Sequence, residues 1–174
     1  CPQGLMAPLA VTAAVWHTFP MPLTIRSATP ADLDTLTAIE GAAFAPEDRF
    51  ARRNLRRMLA SRSAWIGIAE SGDMAAGAAI LLFRKGARTA RLYSIASDPG
   101  FAGQGVGAVL MTACVAEAVR RGCDRLRLEV RASNARALAL YERSGFSLLK
   151  EKKAYYADGE SALILERGLK ARPI

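Results

Sequence analysis

Arg91-Leu92-Tyr93-Ser94-Ile95-Ala96-Ser97-Asp98-Pro99-Gly100-Phe101-Ala102-Gly103-Gln104-Gly105-Val106-Gly107 runs from a strand through a turn into the start of a helix. The first seven residues read as a strand, which Asp98-Pro99-Gly100 ends. A helix follows from about Gly105 to Arg121 and stops at Gly122. It is apolar on most sides (Val106, Val109, Leu110, Ala113, Cys114, Val115, Ala118), which predicts that it is largely buried. The first amides of such a helix lack intrahelical acceptors and carry partial positive charge, so they suit a phosphate group. Gly105 and Gly107 have no side chain to block a close approach. The bland alternative is a glycine-rich helix entry that serves packing alone.

A second pattern overlaps the same loop. Gly103-x-Gly105-x-x-Ala108, with Glu129 further on, matches the dinucleotide fingerprint. That fingerprint follows its strand directly, whereas a spacer separates Ile95 from Gly103, and too few residues follow Ala108 for the rest of such a domain.

Working outward, Leu23–Ala28 alternates like a short strand. Thr29-Pro30-Ala31-Asp32 opens a helix carrying Leu33, Leu36 and Ile39, and Gly41 is expected to close it. Phe44–Asp48 reads as a loop. A second helix is expected over about Arg49–Ala60, with Arg49, Arg52, Arg53, Arg56 and Arg57 on one face and Ala51, Leu55, Met58 and Leu59 on the other. Ala64–Ala69 and Ala75–Phe83 form a hairpin around Ser71-Gly72-Asp73. Arg125–Arg131 alternates with Leu126, Leu128 and Val130 on one face. Ser133 or Asn134 caps a short helix ending at Gly145, and Phe146–Lys152 and Ala162–Glu166 are the last strands. The order β-α-α-β-β-β-α-β-α-β-β indicates a mixed α/β sheet with helices on its faces rather than a regular doubly wound one.

Composition narrows the chemistry. The 174 residues, 51% of them hydrophobic, supply a full core for one domain. A net charge of +8 points to an anionic partner without identifying it. The one histidine, His17, lies in the first 20 residues, which read as a leader or remnant without catalytic function before a domain over 21–174. The domain proper therefore has no histidine for a Ser-His-Asp triad or a zinc site. Proton transfer must rest on Glu, Asp, Tyr, Lys or water. Cys1, Cys114 and Cys123 lack metal-ligand spacing and an obvious pairing, which suits a reduced, cytoplasmic protein without a metal. No segment reaches the roughly 20 apolar residues that span a bilayer, and no recognition helix or aromatic-basic interleaving suggests nucleic acid.

Beyond the loop come Leu128-Glu129-Val130-Arg131-Ala132-Ser133-Asn134 and Ala137-Leu138-Ala139-Leu140-Tyr141-Glu142-Arg143-Ser144-Gly145-Phe146. From Leu92 to Phe146 the chain resembles the core of the GNAT superfamily, specifically the RimI-type ribosomal-protein N-terminal alanine acetyltransferases. That family carries Q/R-x-x-G-x-G/A in the loop, then L-E-V-R-x-S-N-x-x-A-x-x-L-Y-x-x-x-G-F, which is matched throughout. The resemblance extends more weakly to Ile25–Glu40 and to Tyr155–Glu160. One departure is Ala102, where the family has Gln or Arg; Gln104 is expected to replace part of the lost contact. Another is the loop Phe44-Ala45-Pro46-Glu47-Asp48, which has no Trp where that family often carries Pro-Trp.

The resemblance implies a mostly antiparallel sheet of six to seven strands, flanked by about four helices and splayed at a cofactor site. It implies acetyl-CoA as acyl donor and a primary amine as acceptor, chiefly a protein N-terminus, of acidic character if the arginine face borders the acceptor groove. It places the pantetheine arm against Ile95, Ala96 and Ser97, the phosphates against Ala102, Gly103, Gln104, Gly105, Val106 and Gly107, and the cofactor also against Asn134 and Tyr141. Tyr141 becomes the candidate acid, its ordinary pKa of about 10 suiting a departing thiolate. Glu129 becomes the candidate base, through a water. Read without the resemblance, Tyr141 also fits plain packing. Glu129 likewise fits an ion pair with Arg127 and Arg131, which share its strand face and hold it ionised. Tyr155 and Tyr156 line the same groove or are merely strand-end aromatics. Lysine side chains or small amines remain alternative acceptors, and a CoA-binding module without turnover remains an alternative class. A monomer or homodimer is expected.

Overall fold

The computed structural model describes residues 21–170. The reading of residues 1–20 as a leader, and with it Cys1 and His17, lies outside the described residues. Seven strands form one sheet: β1 (Leu23–Ser27), β2 (Ala64–Ser71), β3 (Met74–Leu82), β4 (Thr89–Ser97), β5 (Arg125–Arg131), β6 (Ser147–Lys152) and β7 (Ala162–Gly168). Their spatial order is β1-β2-β3-β4-β5-β7-β6, and every neighbouring pair is antiparallel except β4 with β5. Four helices flank it: α1 (Leu33–Ala43), α2 (Arg52–Leu59), α3 (Val106–Arg120) and α4 (Ala135–Arg143). This is the expected mixed, mostly antiparallel sheet. No described helix is long and apolar enough to cross a membrane.

Two apolar clusters cover the two faces. Leu33, Leu36 and Ile39 of α1 and Leu55 of α2 pack with Ile66, Ile68 and Ile80 on one face. On the other, Val106, Leu110, Met111 and Cys114 of α3 join Tyr141 of α4 over Leu81, Leu92, Leu126 and Leu128. The all-round apolar pattern of α3 thus reflects a helix laid along the sheet. Its close seat requires Gly77, where a Cβ would stand 2.5 Å from the Ala96 carbonyl oxygen and 2.7 Å from Val106.

Two expectations about the first helices need correction. α1 does not end at Gly41 but runs through it to Ala43. The Arg49 guanidinium donates to the Gly41 and Phe44 carbonyls (2.7 and 2.8 Å), satisfying the groups that a glycine cap would otherwise serve. Arg49 therefore lies outside α2, which begins at Arg52, and does not belong to its arginine face. At the other end of the sheet, Arg26 of β1 holds Asp32 with two 2.8 Å bonds and Glu70 of β2 with a third at 2.7 Å, bracing the entry to α1.

Candidate functional site

The site begins where β4 and β5 part. Their parallel register runs from Thr89–Arg125 to Leu92–Leu128 and stops there. Beyond it β4 stays paired only to β3, and β5 only to β7. The cause is local: Ile80 faces Ser94 while Leu81 faces Leu92, so Tyr93 is an extra residue in β4. Such a bulge bends its strand and increases the twist. The facing edges of Tyr93–Ser97 and Glu129–Arg131 thereby open into a cleft of about 810 Å³.

Ile95, Ala96 and Ser97, the loop residues Ala102, Gly103, Gly105, Val106 and Gly107, and Asn134, Tyr141 and Glu129 all line this one cleft. Gln104 does not; it is exposed, and its backbone N–H donates to the Phe101 carbonyl (3.2 Å), so neither its side chain nor its main-chain amide faces the cleft in this structure. Gly103 and Gly105 both have φ +77°, the left-handed conformation that glycine adopts without strain. The first backbone bond of α3 runs from Val109 N–H to Gly105 C=O (3.1 Å), which leaves the Val106, Gly107 and Ala108 amides without a backbone acceptor among the described residues. Gly107 serves a different need: a Cβ there would press on Leu140 at 3.1 Å, so it lets α4 close on the start of α3.

Asn134 caps α4, its Oδ1 accepting from the Ala137 amide at 3.1 Å. The cap leaves the Nδ2 group as a donor at the cleft. Tyr141 is buried in the cluster with Cys114 and Phe146, its ring 5.8 Å from that of Phe146. Burial pushes its hydroxyl up to about 12, with Cys114 and Tyr156 acting the same way. Its value is therefore not the ordinary one assumed from the sequence, and the phenol stays protonated at neutral pH.

Glu129 alternates with buried Leu128 and Val130 on β5, so it stands on the opposite face from Tyr141. Its partners are not Arg127 and Arg131. Arg127 pairs with Glu166 at 2.6 Å, and Arg131 pairs with Asp48, Asp158 and Glu160. Glu129 instead accepts from Tyr155 (2.6 Å), Arg91 (2.9 Å) and Lys152 (3.5 Å). Burial raises its carboxyl, but Tyr155, Arg91 and Lys152 together outweigh that and hold it below the usual value.

Several lining residues escaped the sequence reading. Phe50, from the segment between α1 and α2, stacks on the bulge residue Tyr93 (4.7 Å between ring centroids, 22° between planes). Arg131 lies 4.0 Å over the Tyr156 ring while bonding Asp48 and the segment between β6 and β7, so one cation joins three parts of the rim. Tyr155 and Tyr156, by contrast, which the sequence reads as groove-lining or merely strand-end aromatics, both line the cleft. Arg136 and Arg143 line it from α4. Their spacing with Leu140 (i, i+4, i+7) was visible as a helical stripe, whereas the Phe50–Tyr93 stack has no local signal. No residue of α2 lines the cleft, so its arginines do not border the groove directly.

Residues 31–146 match the Acetyltransferase (GNAT) family. Among curated proteins, the [Ribosomal protein bS18]-alanine N-acetyltransferase of Escherichia coli (strain K12) is 46% identical over 79 residues, 44% of this chain and 53% of that protein. The mycothiol acetyltransferase of Beutenbergia cavernae is 40% identical over 83 residues, 48% of this chain and 28% of that protein. The chain thus spans about half the length, or less, of these curated relatives. Among solved structures, the ribosomal-protein-S18-alanine N-acetyltransferase from Escherichia coli superposes with a TM-score of 0.78 at 31% identity, covering 87% of this chain and 97% of the other.

Proposed function

We propose that this chain, which belongs to the Acetyltransferase (GNAT) family, transfers acetyl from acetyl-CoA to a primary amine, the α-amino group of a protein N-terminus being the acceptor. The observation that carries this is the cleft between β4 and β5. It joins the free amides of α3 at one end to the Glu129–Tyr155 pair at the other, with the unpaired edge of β4 between them. That set of groups fits the donor. Val106, Gly107 and Ala108 would hold its phosphates through backbone amides, with Arg136 and Arg143 adding positive charge. The edge at Ile95–Ser97 would pair with its amide-bearing arm and offer one amide to the developing oxyanion. When bound, the thioester supplies the activated acyl group.

The chain's own groups then manage two protons. The acceptor arrives as an ammonium, and the ionised Glu129 attracts and orients it. A carboxylate held below its usual value is a weak base, so Glu129 relays the proton through a water to solvent rather than keeping it. As the new carbon–nitrogen bond forms and the carbon–sulfur bond breaks, the Tyr141 hydroxyl gives its proton to the sulfur, and the second proton shed by the nitrogen returns through solvent to restore the phenol. Tyr141 and Glu129 stand on opposite faces of β5, which suits a donor entering from one side and an acceptor from the other. The similarity to the bS18-alanine enzyme supports a protein N-terminus. A second reading keeps the chemistry but uses a small-molecule amine, and the match to a mycothiol acetyltransferase over a similar length favours it.

The test is acetyl-CoA turnover on free N-terminal alanyl peptides, lysine peptides with blocked N-termini, and a panel of small-molecule amines. Turnover confined to the first group supports the proposal. Turnover confined to the small amines selects the second reading, and CoA binding without turnover on any of them leaves a binding module.

A further inference from the structure

Glu40 is one of two buried charged residues among the described residues, 5% exposed, on the face of α1 that otherwise carries Leu33, Leu36 and Ile39. The other, Asp32, is gripped by Arg26. Glu40 has no ion-pair partner among the described residues. Its carboxylate accepts two bonds: from the Phe50 amide (3.3 Å, to Oε2) and from the Ser94 hydroxyl (3.3 Å, to Oε1). Burial pushes the carboxyl above its usual value, against those two donors. If α1 needed only to pack on the sheet, a leucine would serve there at lower cost, because a buried carboxylate without a cation is expensive.

The two donors show what the cost secures. Phe50 belongs to the segment between α1 and α2, and Ser94 follows the bulge residue Tyr93 in β4. The rings of Phe50 and Tyr93 stack on each other and line the cleft. One carboxylate therefore ties the backbone of one ring to the strand neighbour of the other. It does so from behind, since Glu40 itself does not line the cleft. We infer that Glu40 is a positioning residue for the acceptor, clamping the segment 44–50 to β4 so that the Phe50–Tyr93 wall keeps its place. This rests on the proposed function, in which the Glu129 end of the cleft receives the acceptor; Arg91 joins that end to the wall, bonding Glu129 and lying 5.1 Å from the centre of the Tyr93 ring.

The experiment compares the parent with Glu40→Leu and Glu40→Gln. Acceptor KM and kcat are measured with a free N-terminal alanyl peptide, CoA affinity by calorimetry, and amide exchange over residues 44–50 and over α3. Losing both bonds in Glu40→Leu is expected to raise the acceptor KM about tenfold and to speed exchange at 44–50 by a similar factor. CoA affinity and α3 exchange are expected to stay within about twofold. Glu40→Gln keeps an acceptor oxygen for one donor and is expected to fall between, at about threefold. It carries the test if the leucine variant does not fold. Acceptor KM and CoA affinity worsening together would show a general distortion and overturn the inference, as would exchange at 44–50 equal to the parent in the variant that folds. The exchange measurement needs no acceptor. If the parent acetylates no amine, the functional reading fails while the clamp is still judged.

Discussion

Tyr141 sits in the core with Cys114 and Phe146 and also lines the cleft, so a packing role and the proposed chemical one fall on the same side chain. Tyr141→Phe separates them, because the ring stays and only the hydroxyl goes. If that hydroxyl protonates the leaving sulfur, kcat is expected to fall by roughly 10²–10⁴-fold with CoA affinity unchanged. Steady-state kinetics with calorimetry check this; a change within about threefold would leave water as the proton source. Since burial holds the phenol near 12, no falling limb of the kcat–pH profile below about pH 10 is expected from Tyr141. Gly105 poses a different problem. Its φ of +77° means that any side chain strains the backbone, although a Cβ would meet nothing within 4 Å. Gly105→Ala therefore reports the strain alone, about 1–2 kcal/mol of stability. Gly105→Glu adds a carboxylate among the free amides of α3. Loss of CoA binding in Glu but not in Ala, by titration, is the expected result. Equal affinity in both variants would remove the loop from the phosphate site.

The entry to α1 shows how an element far from the cleft is fixed. Asp32 accepts two bonds from Arg26 and one from the Thr29 amide (2.7 Å), and the Arg26 guanidinium beside it holds its carboxyl well below the usual range, with the Thr29 amide helping against burial. With its folded value depressed, the stability that Asp32 adds is fully present above its unfolded pKa of about 3.9 and is lost as pH falls below that. Asp32→Asn is expected to cost about 1–3 kcal/mol at pH 7. It is also expected to flatten the loss of stability on acidification below about pH 4, read by urea denaturation at each pH. An equally steep acid limb in the variant would assign that limb to other carboxylates. Elements of this kind were largely legible in the sequence, because each obeys a local rule. Thr29-Pro30-Ala31-Asp32 announces a helix start, Ser71-Gly72-Asp73 a hairpin, and Leu126, Leu128 and Val130 a strand with one buried face. The end of α1 was not legible, since its last carbonyls are satisfied by Arg49 from a later segment. The candidate site divides the same way. The glycine loop and Tyr141 sit in contiguous motifs, whereas Phe50, Arg131 as a rim hub, and the true partners of Glu129 depend on contacts 23 to 83 residues apart along the chain.

Across the whole molecule, charge is distributed unevenly with respect to the cleft. Arg53, Arg56 and Arg57 are exposed on α2 and make no ion pair with a described residue, while Arg52 pairs with Asp34. None of them lines the cleft, so any effect on a group held in it acts from a distance. What remains is their field. A group of like charges contributes to the potential over distances of a Debye length, about 8 Å at physiological ionic strength and more at low salt, and can raise the encounter rate of an oppositely charged ligand. An acceptor peptide with acidic residues behind its free amine would respond, and a neutral one would not. The triple variant Arg53→Glu, Arg56→Glu, Arg57→Glu spares Arg52 and its pair with Asp34. It substitutes one good helix former for another, so α2 is expected to persist. At low ionic strength the KM for an acidic peptide is expected to rise by about tenfold or more, with the KM for a neutral peptide within about twofold. Raising the salt to about 0.5 M should shrink the difference, since screening removes a field effect but not a contact. CoA, itself an anion, is the internal control: a matching loss of CoA affinity would mean that the variant has changed the general potential rather than the acceptor's approach. Equal effects on acidic and neutral peptides at every salt concentration would reduce the arginine face to solvated surface and leave acceptor choice to the cleft's aromatic rim.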